Sequence, residues 1–82
     1  MEIKVIGAGC KECDTLYANT LEAAKELKVS VTVEKVEDLM EIVRLGVMAA
    51  PSLMVDGKVI VKGQVLSTAK LVEKLKKCAN EA

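Results

Sequence analysis

Apolar and polar residues alternate from the second position of the chain onward. "EIKVI" (2–6) places Ile and Val between charged residues, a period of two rich in β-branched side chains, and predicts a strand ending at Gly7. In "CDTLYANTLEAAKELK" (13–28) the period lengthens. Leu16, Thr20, Ala23, Ala24 and Leu27 recur every three or four residues, the spacing of one helix face. "VSVTVEKV" (29–36) returns to alternation, with Val29, Val31 and Val33 set against polar partners, and predicts a second strand. A strand, a helix and a strand in that order form a right-handed crossover, so the two strands are expected to run parallel.

Further along, "EDLMEIVRLG" (37–46) begins with acids, carries Leu39, Ile42 and Val43 on one side and ends in Gly46, which suits a left-handed helix cap. It predicts a short second helix. The β-rich runs 52–55 and 58–62 are joined by Asp56-Gly57, a dipeptide made for the type I′ turn of a tight antiparallel hairpin. "STAKLVEKLKKCANEA" (67–82) opens on Ser67, a helix N-cap. It lines up Leu71, Val72, Leu75 and Cys78 on one face, with Lys70, Lys74 and Lys77 on the others. The predicted order is βαβαββα, an α/β class with a mixed four-stranded sheet and three helices.

Composition sharpens this picture. With 82 residues there is room for one core, so a single domain over 1–82 is expected. Tyr17 is the only aromatic residue, so the core is aliphatic. Twelve basic and twelve acidic residues cancel, leaving no basic field for nucleic acid or an anionic membrane surface. No apolar run approaches the roughly 20 residues of a membrane span, and a cytoplasmic protein is expected. Three cysteines are too few and too odd in number for a secreted disulfide scaffold, whereas one C-x-x-C in a cytosolic chain points to redox or metal chemistry.

The chemistry concentrates in "VIGAGCKECDTLY" (5–17). Cys10 falls where the first strand hands over to a helix, near unpaired backbone N–H groups and the positive end of the helix dipole. Both favour the thiolate, and C-x-x-C pairs at helix starts lower thiol pKa values from about 8.5 toward about 7 or below. Lys11 adds to that effect and Glu12 opposes it. Cys13, one turn further in and more shielded, is placed to resolve a mixed disulfide formed by Cys10. Metal binding is the alternative. Zinc wants four ligands and the chain has no histidine, so Cys78, carboxylates or a second chain would have to complete the site. A copper carrier also sets C-x-x-C after a first strand and holds Cu(I) by two thiolates, but that domain runs βαββαβ and usually carries Met where this chain has Ala8. Haem attachment is excluded because Asp14, not histidine, follows Cys13.

"GAGCKEC" after the first strand, "GVMAAPSLMVDGKVI" and the glycine of "VKGQVLS" together resemble the thioredoxin superfamily. The resemblance is to its small prokaryotic thioredoxin- or glutaredoxin-like members, and it covers nearly the whole chain. It implies a minimal thioredoxin-like fold and thiol–disulfide exchange through a Cys10–Cys13 couple, with no other cofactor and no resident metal. It also implies a cis Ala50-Pro51 bond facing the cysteines, and a backbone at Ala50 that pairs with an extended substrate segment as an added strand. Lys11 and the backbone of Gly63 complete the expected substrate-binding set. The implied partners of a monomeric carrier are a disulfide-containing protein and an electron donor resembling thioredoxin reductase. The family's Trp-Cys-Gly-Pro-Cys is absent. Lys11 and Glu12 stand between the cysteines, so a reduction potential does not carry over from a family spanning about −270 to −120 mV. Lys4 stands in the polar phase of the first strand, and no buried acid is evident to accept a proton there.

Other candidates have plainer readings. Cys78 shares its spacing with Leu71 and Leu75 and reads as core. Met48 and Met54 read as core filling, Tyr17 either as an aromatic against the sheet edge or as a border of the substrate groove, and Arg44 as solvated surface.

Overall fold

A computed structural model describes residues 1–8, 11–27 and 30–81. In chain order the elements are β1 (Glu2–Ile6), α1 (Lys11–Lys25), β2 (Thr32–Val36), α2 (Leu39–Leu45), β3 (Ser52–Val55), β4 (Lys58–Lys62) and α3 (Thr68–Glu81). This is the βαβαββα order that the sequence predicts. The sheet runs β2-β1-β3-β4. β1 pairs parallel to β2 and antiparallel to β3, and β3 pairs antiparallel to β4, so β1 and β3 occupy the centre.

Side-chain alternation on the central strands divides the core. Ile3 and Val5 of β1 face one way with Leu53 and Val55 of β3, packing against Leu16 and Ala23 of α1 and Leu71 and Leu75 of α3. Ile6 and Met54 face the other way, where Val36, Val47 and the half-buried Ile42 and Leu45 of α2 cover them. Two helices therefore lie on one face and one on the other, leaving the central strands buried on both. The one buried threonine, Thr20, is satisfied within α1 because its hydroxyl donates to the Leu16 carbonyl at 2.7 Å.

Local signals end the elements. Asp38 caps α2 by accepting from Met40 N–H at 2.9 Å, and Gly46 closes it with φ 73°. Ser67 accepts from Lys70 N–H at 3.3 Å at the start of α3. In the β3–β4 hairpin Asp56 and Gly57 both have positive φ, 47° and 87°, as a type I′ turn requires.

Four expectations need correction. Helix α1 stops at Lys25, three residues early, where Glu26 and Leu27 N–H groups turn to the Ala23 and Ala24 carbonyls in a tighter i→i−3 turn. Helix α2 turns Ile42 and Leu45 toward the sheet, while Leu39 and Val43 are 70% and 73% exposed. Its apolar residues run round so much of the helix that seven residues of pattern do not select a face. Met48, expected in the core, is 98% exposed, whereas Met54 is buried as expected. The strand expected over 29–36 begins at Thr32, leaving Ser30 and Val31 outside it, and the reading of Val29 as a strand residue lies outside the described residues.

Candidate functional site

The ends of β1 and β4 and the starts of α1 and β3 converge at one end of the sheet. β1 ends at Ile6, and Gly7 continues its course by donating its N–H to the Val36 carbonyl at 3.0 Å. A β-carbon on Gly7 would stand 2.3 Å from Cys13 Sγ, 3.2 Å from Cys13 Cβ and 3.6 Å from Ala50 Cβ. Glycine is thus required here by close approach, with a cysteine from the first turn of α1 on one side and the turn before β3 on the other. Cys13 is 1% exposed and takes part in a disulfide. Cys10 lies outside the described residues.

The turn before β3 carries the cis Ala50-Pro51 bond. Ala49 and Ala50 are exposed and Pro51 and Ser52 are buried, so an accessible backbone segment is mounted on an inaccessible base. The Ser52 hydroxyl donates to the Ala49 carbonyl at 2.6 Å. Gly63, just past β4 with φ 62°, brings its backbone beside Ala49: a β-carbon there would be 3.5 Å from Ala49 Cβ. Lys11 and Glu12 are exposed in the first turn of α1, and the Lys11 carbonyl accepts from Thr15 Oγ1 at 3.0 Å.

The flank of this end is charged. Lys35 of β2 reaches across to α1 and forms an ion pair and hydrogen bond with Asp14, the neighbour of Cys13. Its ammonium also lies 3.8 Å from Glu37 and 5.7 Å from the centre of the Tyr17 ring. The hydrogen bond to Asp14 raises the Lys35 pKa, the charges of Asp14 and Glu37 add to it, and desolvation works against it. Tyr17 therefore sits at the sheet edge, the first of its two expected places. At the far end of α3, Cys78 is a half-buried free thiol packed against the rim of the core.

Of the residues singled out from the sequence, Cys13 and Ala50 meet across Gly7, and Gly63 meets the same turn at Ala49. Gly7, Ser52 and the Lys35–Asp14 pair were not singled out. Only Gly7 left a trace in the sequence, as a glycine between a strand and a helix; the others become visible when distant segments meet.

A model of the thioredoxin domain matches residues 1–76. The chain belongs to the thioredoxin family. It is 39% identical to a thioredoxin of Methanothermobacter thermautotrophicus over 67 residues, 82% of this chain and 87% of that one. With a thioredoxin of Methanocaldococcus jannaschii it shares 31% identity over 74 residues, 90% of this chain and 85% of the relative. Thioredoxin-family membership implies thiol–disulfide redox activity, and the βαβαββα order is that of a minimal thioredoxin fold, distinct from the βαββαβ order of copper carriers. Among the described residues no helix is long and apolar enough to cross a membrane.

Proposed function

We propose that this chain is a thiol–disulfide oxidoreductase working through a Cys10–Cys13 couple on disulfides of other proteins. The observation that carries the reading is Cys13 itself: disulfide-bonded, shut away from solvent in the first turn of α1 and set against Gly7, which also neighbours Ala50.

In the reducing direction the Cys10 thiolate attacks one sulfur of the substrate disulfide. The substrate S–S bond breaks, its other sulfur leaves as a thiolate, and Cys10 is left in a mixed disulfide. Cys13 then gives up its proton to water and attacks the Cys10 sulfur, which releases the second substrate thiolate and closes the 10–13 disulfide. Two electrons have passed to the substrate, and an external dithiol donor, resembling thioredoxin reductase or another reductant, returns them. Cys10 immediately precedes Lys11, the first residue of the 15-residue α1, and a helix start stabilises the attacking thiolate. The exposed backbone at Ala50 offers an edge on which an extended substrate segment adds as a strand, and Pro51, Lys11 and Gly63 complete that surface. The carrier acts as a monomer in the cytoplasm.

Two variants test the reading. Cys13→Ser should accumulate a mixed disulfide through Cys10, and Cys10→Ser should lose reduction of a model disulfide. Retained activity in Cys10→Ser overturns the assignment. Metal analysis of protein purified under reducing conditions separates the other class, because about one tightly held Cu(I) or Zn per chain without reductase activity would assign the thiolates to metal carriage.

A further inference from the structure

Ser52 is the polar exception in a buried strand. It and the three apolar residues that follow it in β3 are all buried, and a hydroxyl in such a place costs free energy unless it is hydrogen-bonded. Its bond goes to the carbonyl of Ala49, three residues back in the exposed turn, at 2.6 Å. Meanwhile the Ser52 backbone pairs with Ile6 of β1 on one side and Lys62 of β4 on the other. The hydroxyl therefore ties an exposed peptide group to three strands at once. Gly63 adds a second restraint by lying beside the Ala49 methyl.

We infer that Ser52 is a positioning residue for protein substrates: its hydrogen bond fixes the Ala49 peptide and so presents the Ala50 backbone ready to accept an added strand. This rests on the function proposed above and concerns recognition, not the thiol chemistry. Strand addition needs N–H and C=O groups already aligned, because a turn that must be ordered on binding spends part of the interaction on its own immobilisation. A small disulfide makes no such strand and does not use the alignment. Ala49 is an exposed residue, so water is at hand to replace the hydroxyl at its carbonyl when Ser52 is replaced by alanine, and the fold is expected to survive the loss of this one part-buried bond.

The experiment compares two probes: insulin as a protein disulfide, with dithiothreitol returning the electrons, and dithiobis-nitrobenzoate as a small one, cleaved in a single turnover by pre-reduced protein freed of dithiothreitol. Ser52→Ala should raise KM for insulin about fivefold, the equivalent of one hydrogen bond of about 1 kcal/mol, with kcat and the small-disulfide rate within about twofold of the parent. Ser52→Thr keeps the hydroxyl, so in its folded form it should restore KM. An unchanged insulin KM in Ser52→Ala, equal losses on both probes, or no recovery in a folded Ser52→Thr overturns the inference. If the parent protein reduces neither probe, the proposed function has failed, and this inference falls with it.

Discussion

The backbone of Gly7 rests on the sulfur of Cys13, so closely that a β-carbon there would stand 2.3 Å from Sγ. Neither partner has free space to retreat into, since Cys13 is 1% exposed and Ala50 closes the other side. Gly7→Ala should cost about 1–3 kcal/mol of stability, the usual penalty for forcing a methyl into packed structure. It should also slow release of the mixed disulfide, because the displaced sulfur belongs to the proposed resolving cysteine. Urea unfolding measures the first effect and quenched thiol trapping the second; an unaltered unfolding midpoint would contradict the contact.

Lys35 links stability to alkaline pH. Its pKa is raised above the ordinary 10.5, chiefly by the hydrogen bond to Asp14, with the charges of Asp14 and Glu37 adding and desolvation opposing. A raised ammonium pKa means that the folded state holds the proton more tightly. The contribution is thus complete below pH 10.5 and is lost as pH rises through the higher folded value. The difference in melting temperature between the parent and Lys35→Met should be constant from about pH 7 to about pH 9 and shrink above the unfolded pKa. Added salt should narrow it at every pH, because Asp14 is exposed and the pair is screened.

Two aliphatic residues on helices should behave oppositely. Leu71 of α3 is fully buried against the α1 side of the sheet, and Leu71→Ala should lose about 2–5 kcal/mol in equilibrium urea unfolding. Val43 of α2 is 73% exposed, and Val43→Ala should stay within about 0.5 kcal/mol of the parent. A large loss at Val43 would mean that α2 presents to the sheet the face that Leu39 and Val43 share.

Met48 and Met54 differ in the same way toward oxidants. Met48 is 98% exposed and Met54 6%. Brief peroxide treatment of the oxidised protein, followed by peptide mass mapping, should find sulfoxide at Met48 well before Met54. Because Met48 adjoins Ala49, the new polar group would stand beside the proposed substrate edge, and insulin reduction should weaken after the treatment.

Much of the fold was legible because its signals are local. The hairpin follows from Asp56-Gly57, whose positive φ angles few other dipeptides adopt, and the helix ends follow from Asp38, Gly46 and Ser67, each acting within one turn of itself. The core face of α3 was legible because its apolar stripe is narrow and its lysines fill the rest. Helix α2 was not, since two turns with apolar residues nearly all round leave the choice of face to tertiary packing. The close approach of Gly7 to Cys13 spans only six positions, yet it depends on α1 folding back over the end of β1. Ser52 was harder still. Position 52 reads as the first residue of a strand, and its bond to Ala49 acquires meaning only when β1 and β4 are seen to hold it.

The first turn of α1 divides its labour sharply between neighbours: Cys13 is sealed inside, while Lys11 and Glu12 stand in solvent and the helix is secured there through a backbone carbonyl. Side chains between the cysteines act on thiol reactivity through their charge, and here they carry no packing duty. Lys11 and Glu12 can therefore change across generations without unsettling the core, whereas Cys13 and the Gly7 that rests on it belong to the core and to the proposed couple alike. Variation in charge at positions 11 and 12 is thus free of the packing that constrains Gly7 and Cys13.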